Sequence, residues 1–162
     1  MYFGEYPTSL DEKGRITMPR RFRNTMEVLG HAVWFMTRGF DHSIFLFNQE
    51  EWNKIRKQVA NYSALDAKAL DFRRLLFGSV AEVKPDGQGR MLVPQHLREY
   101  AGLSKEAVIL GVDDHLELWS KERWREFQES KDDTFKEMAA QLFMGQDSVS
   151  AVGAEGGTDD GN

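Results

Sequence analysis

The sequence predicts an α+β protein built from two tandem copies of one β-rich unit. The copies pack as a pseudo-two-fold pair, with a helix after each, and three observations predict this. First, DEKGRITMP (residues 11–19) returns as DGQGRMLVP (residues 86–94). At an offset of 75, Asp11, Gly14, Arg15, Pro19, Phe22 and Arg23 map onto Asp86, Gly89, Arg90, Pro94, Leu97 and Arg98. After a three-residue loop deletion, Phe47, Trp52 and Ile55 map onto Trp119, Trp124 and Phe127. An ordered match of this length marks an internal duplication, and two copies are too few for a solenoid. Second, the residues around each motif alternate apolar and polar with the period of a strand. Third, later stretches repeat their apolar residues at helical spacing.

Each copy begins with a strand, at 3–10 and again at 79–84. The DxxG that follows turns the chain, because Asp at the first and Gly at the fourth position suit a type I turn. A short strand comes next, at 15–18 and 90–93. Ile16 and Met18 share its inner face, as do Met91 and Val93, so Arg15 and Arg90 point the other way. Proline then opens a short helix, where its missing N–H costs nothing. Two more strands follow, at 32–37 with 43–47 and at 107–112 with 115–119, and a helix starts at Glu50 and at Lys121. Between the copies, Leu65, Ala69, Phe72 and Leu76 predict a helix over 64–77, and Trp124, Phe127, Phe135, Met138 and Leu142 form a stripe on a helix over 121–144. Beyond Met144 the text is Gly, Ser and acid with little apolar bulk, which predicts disorder. The organisation is therefore a first repeat (5–48), linking helices (49–76), a second repeat (77–120), a C-terminal helix (121–144) and a disordered acidic tail (145–162). Trp52, Trp119 and Trp124 are duplicated anchors and belong to the core, whereas Trp34 suits either core or interface. The seven methionines read as core filler and helix stripe.

The chain has 162 residues and no cysteine, so disulfides and thiolate metal sites are excluded. No apolar run reaches the ~20 residues of a membrane span, and the N-terminus lacks a basic-then-apolar signal pattern. A cytoplasmic location, without membrane contact, is the expectation. Net charge is −5, but the four acids of the tail (Asp147, Glu155, Asp159, Asp160) account for all but −1 of it. Within the body, residues 13–23 carry Lys13, Arg15, Arg20, Arg21 and Arg23 with no acid. Such a local patch matters more for phosphate binding than total charge does.

Asp11, Gly14, Asp86 and Gly89 suit two ordinary turns, each closed by an Asp–Arg pair. Arg20, Arg21 and Arg23 are harder to dismiss. They crowd the start of a helix, where acids are favoured and each base costs roughly 0.3–1 kcal/mol. A phosphate docked there would compensate; the plainer reading is a solvated face partnered by Glu12 or Glu27. In the second copy, Gln88, Gln95 and His96 replace Lys13, Arg20 and Arg21, and Leu92 replaces Thr17. The first copy therefore faces nucleic acid. The second adds Arg90 and Lys84 as phosphate contacts and buries Leu92 against a neighbour.

Enzyme readings are weaker. Asp41-His42 and Asp113-Asp114-His115 fall at strand-to-strand turns, where Asp and His are common. Four histidines without cysteine give no zinc spacing, and no GxSxG, Walker or GxGxxG pattern occurs. No catalysis, metal, cofactor or small-molecule substrate is expected.

DEKGRITMPRRFR and DGQGRMLVPQHLR resemble the hallmark of the SpoVT-AbrB superfamily. Two such copies, each followed by a strand pair and a Trp-containing helix, with a linking helix ending RRLLFGS, resemble the MraZ family. The likeness spans about residues 1–143. It implies swapped-hairpin β-barrel repeats. It also implies a bacterial transcriptional regulator that assembles into a ring of many protomers and associates with the nucleoid. Such proteins bind short direct repeats in double-stranded DNA upstream of the division and cell-wall gene cluster, their own gene included. Lys13, Arg15, Arg20, Arg21 and Arg23 fall on the DNA-facing positions of such proteins, and Arg90 on the matching position of the second motif. The acidic tail departs from the pattern. The rival expectation is a non-catalytic, ring-shaped scaffold for protein partners. In that case the basic patch serves an acidic protein or the tail itself.

Overall fold

A computed structural model of the chain describes residues 1–152, with side chains through residue 145. The first copy contributes β1 (Tyr2–Ser9), β2 (Arg15–Thr17), α1 (Arg20–Leu29), β3 (Trp34–Arg38), β4 (Ile44–Asn48) and α2 (Gln49–Ala60). A linking helix α3 (Ala67–Ser79) leads to the second copy: β5 (Ala81–Val83), β6 (Arg90–Leu92), α4 (Gln95–Tyr100), β7 (Glu106–Asp113), β8 (His115–Ser120) and α5 (Lys121–Lys131). A 3-10 turn (Asp132–Thr134) and α6 (Phe135–Val152) follow. The protein is mixed α+β, as the alternation and helical spacing predict.

The larger sheet has six antiparallel strands in the order β1-β7-β8-β4-β3-β5. Each copy sends its first strand to the other. β1 pairs with β7 from Tyr2↔Asp113 to Ser9↔Glu106, and β5 pairs with β3 from Trp34↔Val83 to Met36↔Ala81. The hairpins meet at the centre, where β4 pairs with β8 from Ile44↔Leu118 to Leu46↔Leu116. With the copies exchanged, the order reads the same from either end. The edges β1 and β5 do not pair with each other, so the pairing among the described residues is that of an open sheet.

The second short strands form a separate two-stranded ribbon, β2 against β6. Its inner face delivers Ile16 and Met91 to the core, both fully buried, where they join Met18, Phe22, Trp34, Met36, Val93, Leu97, Ile109 and Leu118. This core draws equally on both copies, so neither half buries its apolar face alone. Trp34 is a core residue, completely buried against Tyr2 with ring centres 5.6 Å apart. A second cluster sits under α2 and α3. There Trp52 stacks on Phe35 at 5.6 Å and meets Val59 and Leu76.

The helices depart from the sequence reading in three places. The linking helix starts at Ala67, because the Asp66 carboxylate accepts the N–H groups of Lys68 and Ala69 and caps it there. Leu65 is left outside the helix and 96% exposed. The C-terminal helix expected over 121–144 is two helices separated by the 3-10 turn, where Asp132 and Asp133 interrupt the apolar spacing. Finally, α6 continues to Val152, into the segment assigned to the disordered tail. A lone Gly145 costs about 1 kcal/mol in a helix, too little to stop one by itself. Residues 153–162 lie outside the described residues. The chain divides into two compact units, Met1–Trp124 and Arg125–Asn162. In the second, Phe135, Leu142, Phe143 and Met144 are exposed, whereas Trp124 and Phe127 of the same stripe are half-buried.

Candidate nucleic-acid interface

Strand alternation sets the outer face of the β2–β6 ribbon. Arg15 lies opposite Leu92 and Thr17 opposite Arg90, and all four side chains sit on the side away from Ile16 and Met91. At each end stands a DxxG turn of the same build. The Gly14 N–H donates to the Asp11 carbonyl at 3.0 Å, and the Gly89 N–H to the Asp86 carbonyl at 2.9 Å. Gly14 at φ +78° and Gly89 at φ +74° occupy the left-handed region, where a side chain is strained.

The turns also aim the arginines. One Asp11 carboxylate oxygen accepts the N–H groups of Lys13 and Arg15 at 3.0 and 2.9 Å; the other binds Arg15 Nε at 2.7 Å. Asp86 repeats this with Gln88, Arg90 and Arg90 Nε at 2.9, 2.9 and 2.8 Å. The Arg15 N–H, then its guanidinium and the Lys13 N–H, hold the Asp11 carboxyl below the ordinary carboxylate value against an opposing desolvation. Asp86 is lowered by the same kinds of bond, led by the Arg90 N–H. Each arginine uses only Nε on its aspartate, so the two Nη groups remain available for phosphate oxygens or a base edge.

Beside the Arg15–Asp11 pair, the first turn gathers further cations. Among the described residues no acid forms an ion pair with Lys13, Arg20 or Arg21, and α1 has no acid in its first turn. Pro19 is the N-cap and supplies no side-chain acceptor, which leaves the first N–H groups of α1 open. Arg21 lies over the Phe3 ring at 5.6 Å. In the second copy the matching residues turn to their own neighbours. Gln95 donates to Glu99 at 3.0 Å, and His96 Nε2 bonds the Ser79 carbonyl at 2.8 Å. Leu92, expected against a neighbour, is 52% exposed in the single chain.

Arg23 stands apart from the other bases. Its side chain crosses to the second turn, where Nη1 donates to the Gln88 carbonyl at 3.4 Å and the stem packs under Gly89. Arg98 does the reverse and lies under Gly14. Sequence reasoning placed Arg23 on the basic face and passed over Arg98. The signal was available: the duplication keeps this arginine in both copies while its neighbours lose their charge.

His42 and His115 lie at the hairpin turns. Asp41 and His42 have φ +55° and +58°, and Ser43 N–H bonds the Phe40 carbonyl at 3.1 Å, which is a type I′ turn. His115 bonds Asp114 and Glu117 at 2.7 and 3.0 Å. Burial pulls His115 down, but those two carboxylates outweigh it and leave it above its ordinary value. Among the described residues no group of acids and histidines is placed to hold a metal, and no helix is long and apolar enough to cross a membrane.

These features define a duplicated α+β protein with one cationic ribbon face. The profile described as "MraZ protein, putative antitoxin-like" matches residues 1–74 and 76–144. A protein named Transcriptional regulator MraZ from Syntrophomonas wolfei is 41% identical over 142 residues, covering 88% of this chain and 96% of that protein. Proteins of the same name from Carboxydothermus hydrogenoformans and Halothermothrix orenii are 41% and 39% identical over equal spans. The chain belongs to the MraZ family.

Proposed function

We propose that this chain is a sequence-specific DNA-binding transcriptional regulator without catalytic activity. Arg15 and Arg90 grip the duplex from the outer face of the β2–β6 ribbon, and Lys13, Arg20 and Arg21 bind phosphates beside the first turn. The observation that carries this reading is the pair of arginines anchored only through Nε, next to three cations that have no acidic partner among the described residues. The relatives named as transcriptional regulators support it. The strand exchange between copies supports reading each as a swapped-hairpin repeat of a barrel-like core.

One such patch binds weakly. Several protomers in a ring would hold tandem boxes multivalently, with the boxes near one helical turn apart, roughly 10 bp, to lie on one face of the duplex. The exposed Leu92 and Phe3 are apolar surface for protomer contacts. The expected target is a set of short direct repeats upstream of the protein's own gene, in the division and cell-wall cluster. The expected place is the cytoplasm, at the nucleoid.

The test is a titration against the DNA upstream of its own gene at two salt concentrations, with scrambled DNA as control. Box-dependent binding that weakens with salt supports the reading, and the slope counts phosphate contacts. Equal, weak binding to both DNAs refutes it and favours the protein scaffold. Light scattering of the same sample tests the ring.

A further inference from the structure

We propose that Arg98 is a positioning residue for Arg15: the second copy sets, from beneath, the turn through which the first copy holds DNA. The inference rests on the DNA-binding reading above. A Cβ built on Gly14 would meet Arg98 Nη1, Cζ and Nε at 2.5, 2.6 and 2.9 Å, so the guanidinium lies flat against the turn. It also borders the cavity lined by Leu10 and Asp11. The second copy reaches the same glycine through its backbone, since the Val93 N–H donates to the Gly14 carbonyl at 3.0 Å. Gly14 closes the turn onto Asp11, and Asp11 holds Arg15 by N–H and Nε. A loosened turn therefore releases the aim of Arg15.

The second turn is held reciprocally. The Met18 N–H donates to the Gly89 carbonyl at 2.8 Å, and the Arg23 stem packs under Gly89. Both arginines bury Nε without an acceptor. A buried donor left unpaired is unfavourable, so packing alone does not explain why the same side chain stands in both copies. A planar cation behind each turn fits the cramped space under glycine and adds to the positive potential of the ribbon face.

The test uses the full chain with Arg98→Met, which keeps the length of the stem but not the fork. Hydrogen exchange, read without DNA, should accelerate about tenfold at residues 11–15 and stay unchanged at 86–90. Arg23→Met should give the opposite pattern. DNA affinity should fall for Arg98→Met by about tenfold, no more than for Arg15→Ala, because Arg98 itself touches no phosphate and acts only through Arg15. In an Arg15→Ala background that loss should vanish. A further drop of about 1 in the salt slope when Arg98→Met is added to Arg15→Ala, as expected for a phosphate contact of Arg98's own, overturns the proposal. So does an additive loss in the Arg15→Ala background, or unchanged exchange at 11–15. If the wild type binds no DNA, the functional reading fails and the positioning role with it, while the crossed exchange pattern still reports the clasp. Should Arg98→Met not fold, Arg98→Lys keeps a cation under Gly14 and carries the same measurements.

Discussion

Replacing Gly89 with alanine tests the cross-copy packing through stability. Two costs add. Gly89 holds φ +74°, and a left-handed backbone costs a residue with a Cβ about 1–2 kcal/mol. The new methyl would also overlap Arg23 Cδ and come within 3.0 Å of Nε. Cδ is in the middle of the stem and its far end is held at the Gln88 carbonyl, so it yields poorly, and overpacking of this kind costs about 1–3 kcal/mol. Gly89→Ala should therefore destabilise by about 2–5 kcal/mol. In an Arg23→Ala background only the backbone term of about 1–2 kcal/mol should remain. Gly30→Ala calibrates that term, because Gly30 has φ +69° and nothing within 4 Å of a built Cβ. Urea unfolding at fixed protomer concentration measures the wild type and the four variants, with the midpoint moving and the slope constant. If Gly89→Ala and Arg23→Ala add to within about 0.5 kcal/mol, the two residues do not touch and the reasoning fails.

Three further outcomes are expected. Arg15→Ala should weaken binding to box DNA about tenfold or more and lower the salt slope by about 1, with oligomer mass unchanged by light scattering; a broken ring would make Arg15 an interface residue. Trp34→Ala should cost about 3–5 kcal/mol in urea unfolding, since the indole is completely buried among residues of both copies. The folded-state pKa of His115 lies above its ordinary 6.5, so its contribution is complete below that value and lost as pH rises through the folded pKa. Thermal melts from pH 6 upward should show stability falling in the wild type relative to His115→Gln, and parallel curves would refute the assigned charge on His115.

Most of the secondary structure was legible because it follows local rules. Ile16, Met18, Met91 and Val93 alternate as strand residues must, and all four are buried. The DxxG turns formed as their chemistry requires, and their Asp–Arg pairs came with them. The linking helix was read as starting too early, at residue 64. Leu65 and the Phe135–Leu142 stripe have helical spacing, but spacing says only that a face exists. It shows neither where a cap ends the helix, as Asp66 does just after Leu65, nor whether the face is covered: Leu65, Phe135 and Leu142 are exposed among the described residues. The end of α6 was misplaced because composition predicts poor packing more directly than it predicts the loss of a helix.

The sequence by itself determined the duplication, the two turns, the outward aim of Arg15 and Arg90, and the loss of Lys13, Arg20 and Arg21 equivalents from the second copy. Each of these is read from residues within a few positions of one another, or from two such stretches laid side by side. Only the tertiary structure decided that β1 pairs with β7 and β5 with β3, that the two ribbon strands share one sheet, and that Arg23 and Arg98 each serve the other copy's glycine. Those pairings join segments far apart in the chain. A duplicated sequence offers two nearly equal partners for every strand, and the choice falls to which arrangement buries both apolar faces in one core.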